Sequence, residues 1–257
     1  MLRHEILYHE IHGTGSPVLL IAGLGADSSC WAGAAKKFSN HFQTIVFDNP
    51  GSGRSPAFKK PHTIRHLADE AVRLLDHLKI NKAHLIGHSM GGYIAQEIAI
   101  NYPERVNRLV LEGTAPVSSR RNNVLFADFA KKLREKEAFE DWIKTWAFWL
   151  FSPTTFASGT FVETFIKMAA KYPYSATADG FSAQVAAITK FDVRDLLSAI
   201  KAKTLIIEGA DDILIRPEEA KGLGRRIKLI KNAAHYVHLE NPVLFTKIAT
   251  EFLIVSK

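Results

Sequence analysis

Short apolar runs and amphipathic periods alternate along most of this chain. Residues 18–22, 44–48, 83–86, 106–111 and 204–208 are brief and rich in Val, Ile and Leu. Runs with so little polar alternation suit strands covered on both faces, as in a parallel sheet. Between the second and third runs, Ile64, Leu67, Ala68, Ala71, Leu74, Leu75 and Leu78 recur at spacings of three and four. That spacing puts one apolar stripe on a helix, and Thr63 stands where a side-chain cap is needed. Residues 91–101 predict a second helix, ended near Tyr102-Pro103. Beyond 204–208 the pattern predicts a helix, a strand near 227–230 and a last helix from about Pro242. The first residues also soon read as a strand. The whole alternation predicts an α/β architecture: a mostly parallel central sheet with helices on both faces.

The rhythm breaks between about Pro116 and Asp195. This stretch has helical periods but no convincing strand, and it holds 15 of the 26 aromatic residues. It is expected to form a helical cap (116–195) inserted into a core made of 1–115 and 196–257. No repeat, low-complexity tract or long linker argues for a separate unit.

Gly87-His88-Ser89-Met90-Gly91 matches G-x-S-x-G, and its position gives the match its weight. It follows the strand run 83–86 and opens the helix through Tyr93, Ile94 and Ile98. A serine in so tight a strand-to-helix turn needs small neighbours, which Gly87 and Gly91 supply. The turn would project the Ser89 hydroxyl beyond the sheet and aim a helix N-terminus at a reacting oxygen. His88 adjoins the serine on a sharp turn and is poorly placed to accept its proton. A structural or pocket-supporting role is expected for it.

A serine hydroxyl needs a base to become nucleophilic. Histidine suits the task because its unperturbed pKa, about 6.5, lets it take and return a proton. Among 11 histidines, His235 follows the run 227–230 and precedes the last helix. That is a loop at the carboxyl edge of a sheet, where α/β folds place ligands. His238, three residues on, is its rival. An acid should hold the imidazole in one tautomer and stabilise its cation. Asp211 and Asp212 both follow the strand 204–208, and spacing does not choose between them. Glu112, at the end of an earlier strand, is a third candidate.

Acyl transfer builds negative charge on a carbonyl oxygen, which fixed backbone donors stabilise. The Met90 N–H at the start of the helix is one expected donor. The Leu24 N–H, in the Gly23-Leu24-Gly25 loop after 18–22, is the other.

At this point a resemblance enters. Ala22-Gly23-Leu24-Gly25 with Trp31, the turn from Asp48-Asn49-Pro50-Gly51 to Ser52-Gly53-Arg54-Ser55, Gly87-His88-Ser89-Met90-Gly91-Gly92 and Tyr102-Pro103-Glu104-Arg105-Val106 resemble the α/β-hydrolase superfamily. Within it, the chain is similar to small capped bacterial carboxylesterases. The resemblance implies the α/β-hydrolase fold and a Ser-His-Asp mechanism without metal or organic cofactor. His235, His238, Glu240 and Pro242 fit the family's H-x-x-H-x-E-x-P segment, in which the first histidine is catalytic. Gly209, Asp212 and Pro217 fit its G-x-x-D-x-x-x-x-P loop. The resemblance therefore selects His235 and Asp212, in the chain order Ser89, Asp212, His235. It also implies that 48–55 is a structural turn. One departure stands out: Ala22-Gly23 replaces the His-Gly of many relatives. Backbone donors survive that change, but a side chain that often steadies the loop is lost.

A serine at this position suits acyl transfer rather than the aspartate chemistry of dehalogenases and epoxide hydrolases on the same fold. The aromatic cap, with Trp142, Trp146 and Trp149 foremost, is expected to cover an ester of a small or medium apolar acyl group. Three alternatives remain beside it. They are a methyl esterase acting on a pimeloyl chain carried by an acidic acyl carrier protein, a carbon–carbon hydrolase of ring cleavage, and a non-catalytic ligand receptor. The basic run Arg120, Arg121, Lys131, Lys132, Arg134 and Lys136 would serve the carrier-protein reading, though such a run is more often just the solvated face of a helix.

Composition changes this picture little. The chain of 257 residues is 47% hydrophobic and 23% charged, as expected of an ordinary globular domain. A net charge of +7 attracts acidic surfaces weakly, but no basic helix or zinc-ligand spacing points to nucleic acid. No run is apolar for long enough to span a membrane. The first five residues carry no apolar signal region, so a cytoplasmic location is expected. Cys30, the single cysteine, is expected to pack as a small hydrophobe.

Overall fold

The structure is a computed structural model that describes residues 6–58, 61–136, 138–224 and 226–254; the first five residues, read above for a signal region, lie outside them. Among the described residues, strands β1 (His9–His12), β2 (Ser16–Ile21), β3 (Phe42–Phe47), β4 (Ala83–His88), β5 (Val106–Glu112), β6 (Lys203–Gly209) and β7 (Ile227–Ile230) form one sheet. Their order is β1-β3-β2-β4-β5-β6-β7. Only the β1–β3 pair is antiparallel. The fold is the α/β-hydrolase fold, with a mostly parallel sheet flanked by helices.

Alternate strand residues feed two separate cores, which explains why the strands read as unbroken apolar runs. Leu19, Ile21, Ile45, Leu85, Leu109, Leu111 and Ile206 face α2 (Ile64–His77) and α3 (Met90–Asn101). Val18, Leu20, Val46, Ile86, Val110, Leu205 and Ile207 face α1 (Ala32–Phe38) and α10 (Pro242–Leu253). Each such buried aliphatic side chain contributes roughly 1.5–3 kcal/mol of hydrophobic stabilisation. Thr63 caps α2 as its position suggests: its hydroxyl accepts the His66 N–H. Cys30 is half-buried against the second core.

Between β5 and β6 run α4 (Arg120–Arg134), α5 (Phe139–Leu150), α6 (Pro153–Ala157), α7 (Thr160–Lys171) and α8 (Ala178–Ile188). The two ends of this insertion meet at a bridge between Val117 and Asp192, where the Val193 N–H donates to the Pro116 carbonyl at 2.9 Å. A short helix, α9 (Val237–Glu240), precedes α10.

One expectation is corrected. The helix anticipated between β6 and β7 is only a short 3₁₀ turn, Glu219–Leu223. The chain leaving β6 is instead folded around Asp212, whose Oδ1 accepts the N–H groups of Leu214 and Ile215 at 2.8 and 2.9 Å. Pro217 follows and offers no N–H to a helix.

Candidate active site

The register of the parallel strands decides which loops meet. Ile21 pairs with Gly87, and His88 pairs with Glu112. The loops leaving β2, β4, β5 and β6 therefore emerge side by side at the carboxyl edge, where such sheets bind ligands.

Ser89 sits between β4 and α3 with φ 55° and ψ −119°. A side chain there is strained, a state held at a cost of order 1–3 kcal/mol and found most often at functional sites. The surroundings enforce it. The Ser89 N–H donates to the Glu112 carbonyl at 2.9 Å, and the Ser89 carbonyl accepts the Thr114 hydroxyl at 2.9 Å and the Gly92 N–H at 2.8 Å. Gly87 and Gly91 are required by contact: a Cβ on Gly87 would run into the Gly91 carbonyl, and one on Gly91 into that of Ile21.

His235 is buried, and its Nδ1 lies 2.8 Å from Asp212 Oδ2. Asp212, also buried, thus uses one oxygen for the imidazole and the other for two backbone N–H groups. The pairing engages Nδ1 of His235 and leaves Nε2 outside it. The loop carrying His235 is fastened from three sides. The N–H groups of His235 and Tyr236 donate to the Leu150 carbonyl at 3.1 and 3.3 Å. Nε2 of His88 lies 3.1 Å from the His235 carbonyl. Glu240 accepts the Ala234 N–H at 2.6 Å and, with its other oxygen, the Ser152 N–H at 2.9 Å.

His88 is buried and stacks on Tyr236, with ring centroids 4.3 Å apart. Burial first, then the charges of His235 and His238, holds its imidazole well below the ordinary range. It is therefore neutral, and its Nε2 carries the hydrogen donated to the His235 carbonyl. His238 and Glu112, the rival base and the rival acid, are joined to each other: Nδ1 of His238 lies 2.9 and 2.8 Å from the two oxygens of Glu112. Asp211 is half-buried, and its backbone N–H donates to the Ala233 carbonyl at 3.0 Å.

The loop after β2 is pressed against the elbow. A Cβ on Gly23 would lie 3.2 Å from Ser89 Cβ and 3.0 Å from His88 Nδ1. Leu24 and Met90, whose N–H groups are the expected oxyanion donors, are both buried there. A cavity of about 10 Å³ lies beside Ser89, lined by Leu24, Phe126, Trp146, Leu150, Leu214 and Tyr236 together with His88, Ser89 and His235. That is room for a single water-sized molecule.

Of the three expected substrate contacts, only Trp146 lines this cavity. Trp142 packs in the insertion, where its indole N–H donates to the Phe129 carbonyl at 2.9 Å. Trp149 is half-buried, with the Arg121 guanidinium 5.4 Å from its ring centre. The basic run is partly consumed: Lys131 and Lys132 pair with Glu135 and Asp128, and Arg121 donates to the Ile213 carbonyl. Among the described residues, no group of three or more His, Cys, Asp or Glu is arranged to hold a metal ion, and no helix is long and apolar enough to cross a membrane.

Several contributors were invisible in the sequence. Leu150 acts through its carbonyl, which no side-chain pattern reports. Leu214 and Tyr236 lie within two residues of Asp212 and His235, and that adjacency was their only signal. Glu240 stood in a recognised motif without a role.

Residues 16–242 match the α/β-hydrolase fold family. The chain belongs to that family. It is 30% identical over 212 residues to the "Putative carbamate hydrolase RutD" of Azorhizobium caulinodans, covering 81% of this chain and 78% of the relative. Among solved structures it resembles a thermophilic esterase from Thermogutta terrifontis, at 29% identity and TM-score 0.86, covering 96% of this chain and 92% of that one. It also resembles the enol-lactonase from Burkholderia xenovorans LB400, at 26% identity and TM-score 0.87, covering 96% of each. The names of these relatives are those of hydrolases, and they support hydrolytic activity here.

Proposed function

We propose that this protein is a serine hydrolase that cleaves carboxylic esters of small apolar acyl groups. The observation that carries this reading is the buried 2.8 Å contact of His235 Nδ1 with Asp212 Oδ2, beside a serine held at φ 55° in the same cavity. In this reading His235 Nε2 takes the proton of Ser89 as its Oγ attacks the ester carbonyl carbon. The N–H groups of Leu24 and Met90 receive the negative charge on the carbonyl oxygen. Collapse breaks the bond to the alkoxy group, which leaves with the proton from His235. Water, deprotonated by the same nitrogen, then releases the acid and restores Ser89. Asp212 stabilises the imidazolium that forms.

The lining of the cavity bears on the choice of substrate. The cavity's mostly apolar walls support an apolar acyl group, and because its volume holds only a water-sized molecule, any acyl group requires the insertion to move. A carbamate, the substrate class in the RutD name, would bring a strongly polar or anionic head, and the lining residues include neither arginine nor lysine to receive it. The ester reading therefore stands ahead of the carbamate one.

A fluorophosphonate probe and a panel of esters test the proposal. Labelling of the wild type and not of Ser89→Ala, with turnover falling as the acyl chain lengthens, is the expected result. Folded wild-type protein that neither reacts with the probe nor turns over any ester would defeat it and favour a ligand receptor. Preference for a carbamate, a carrier-linked methyl ester or a ring-cleavage dienoate would redirect it.

A further inference from the structure

The loop expected to supply one oxyanion donor is held at its start by the Asn49 side-chain amide, which donates to the Ala22 carbonyl at 3.0 Å, and by its own turn, in which the Ala26 N–H donates to the Gly23 carbonyl at 3.3 Å. Gly23 and Gly25 flank Leu24, Ala22 has no polar side chain, and Gly25 lies at φ 69°. Glycines let the backbone approach a substrate but leave it conformationally free. The peptide between Leu24 and Gly25 is fixed by a further contact at the Gly25 N–H.

That contact comes from the insertion, 159 residues further along the chain. Gln184 on α8 is fully buried. Its carboxamide oxygen accepts the Gly25 N–H at 3.0 Å. Its amide nitrogen donates to the Pro50 carbonyl at 3.0 Å and to the Ser52 hydroxyl at 2.8 Å. One side chain thus ties the loop after β2 to the turn after β3. The turn is itself braced, since Asp48 accepts the N–H groups of Ser28 and Arg54, both at 2.8 Å.

Helix α8 reaches this position by docking backbone on backbone. A Cβ added to Gly51 would lie 3.1 Å from the Cα of Gly180. Phe181, the next residue of α8, fills the space beside Gly25, where a Cβ would meet its ring at 2.9 Å. One turn later Gln184 faces the same loop, as a spacing of three or four on a helix requires.

We infer that Gln184 is a positioning residue for the oxyanion hole: it holds the loop of residues 23–25 so that the Leu24 N–H stays aimed at the carbonyl oxygen of the acyl group on Ser89. The inference rests on the roles given above to Ser89 and the Leu24 N–H. Misplacement of a catalytic group by about 1 Å can cost about 100-fold in rate, and outright loss of one oxyanion donor costs about 10²–10³ in kcat. A loop that has lost its anchor should fall below that ceiling.

The test uses Gln184→Met, an unbranched apolar side chain of similar length, after thermal unfolding has established that the variant is folded. With p-nitrophenyl acetate, kcat is expected to fall about 10- to 100-fold while KM stays within about threefold, the pattern of an interaction made in the transition state. The inhibition constant of a trifluoromethyl ketone, whose adduct with Ser89 carries the oxyanion, should weaken by the same factor as kcat/KM. Gln184→Glu, which keeps an oxygen for the Gly25 N–H, should retain more activity than Gln184→Met. Independently of any variant, the Gly25 amide of the wild type should exchange slowly with deuterium. Unchanged kcat and ketone affinity in folded Gln184→Met would overturn the inference, as would rapid exchange at Gly25. If the wild type shows neither turnover nor labelling of Ser89, the reading of the site falls and this inference with it.

Discussion

Glu112 and His238 are paired in the buried interior, with both carboxylate oxygens within 2.9 Å of the imidazole Nδ1 and one of them also accepting the His238 N–H at 2.8 Å. Trp31 stacks on the ring, with centroids 4.1 Å apart. This second carboxylate–imidazole pair lies behind His88 rather than in the cavity, since neither member lines it. Its effect is architectural: it ties the end of β5 to the short helix that follows His235.

Breaking that pair from one side leaves a polar group buried without a partner. Glu112→Ala is therefore expected to lose about 3–5 kcal/mol of stability. Urea unfolding measures the loss. A shift below about 1 kcal/mol would mean that the pair is not closed in solution.

Asp212 and Asp211 are separated by chemistry rather than by sequence. Asp212→Asn keeps the shape but removes the acceptor that fixes the His235 tautomer, and kcat for ester hydrolysis is expected to fall about 10⁴-fold. Asp211→Asn should leave turnover unaltered, because His235 Nδ1 is already engaged by Asp212. The comparison is read from steady-state rates on one ester, and equal losses in the two variants would refute it.

His84 makes the fold sensitive to acid. It is 6% exposed on β4, and burial, helped by the charge of Arg108, lowers its pKa to about 4. The unfolded chain binds that proton near the ordinary 6.5 and the native chain does not. The stability is thus present above about pH 6.5 and is lost as pH falls toward 4. The size of the loss is set by the gap between the native and unfolded proton affinities, reduced by solvent screening at the part of the ring that water reaches. Denaturation of His84→Leu at pH 7 and pH 4 should show a smaller difference between the two than the wild type does. His88, depressed in the same direction, should leave part of the acid loss in place.

Glu208 works in the opposite sense. It is fully buried at the end of β6, with the Thr114 N–H 3.4 Å from Oε1. Burial first and the nearby charge of Asp212 second push its carboxyl well above the usual range. The native state keeps a proton that the unfolded chain releases. The stability this contributes is greatest below the ordinary carboxylate pKa and is lost as pH rises. Glu208→Gln should therefore gain on the wild type as pH increases from 5 to 8, a trend that thermal unfolding at several pH values would reveal. A constant difference across that range would show that Glu208 does not titrate anomalously.

The sequence by itself determined the strand runs, the elbow at Ser89 and the fold class. The reasons are local. Strands buried on both faces must be apolar throughout, and the backbone at Ser89 tolerates only small residues at positions 87 and 91, so both features leave marks within a few residues. The helix expected after β6 failed because Asp212 captures the next two N–H groups, a side-chain choice that apolar periodicity does not record. Only the tertiary structure decided that Asp212 meets His235 while Glu112 meets His238, because those contacts join residues 23 and 126 positions apart. The same holds for the cavity and for the anchoring of the loop at Gly25. Both depend on how the insertion packs back onto the sheet, and helical periodicity in the insertion predicts its helices without predicting which glycines and glutamine they bring to the edge.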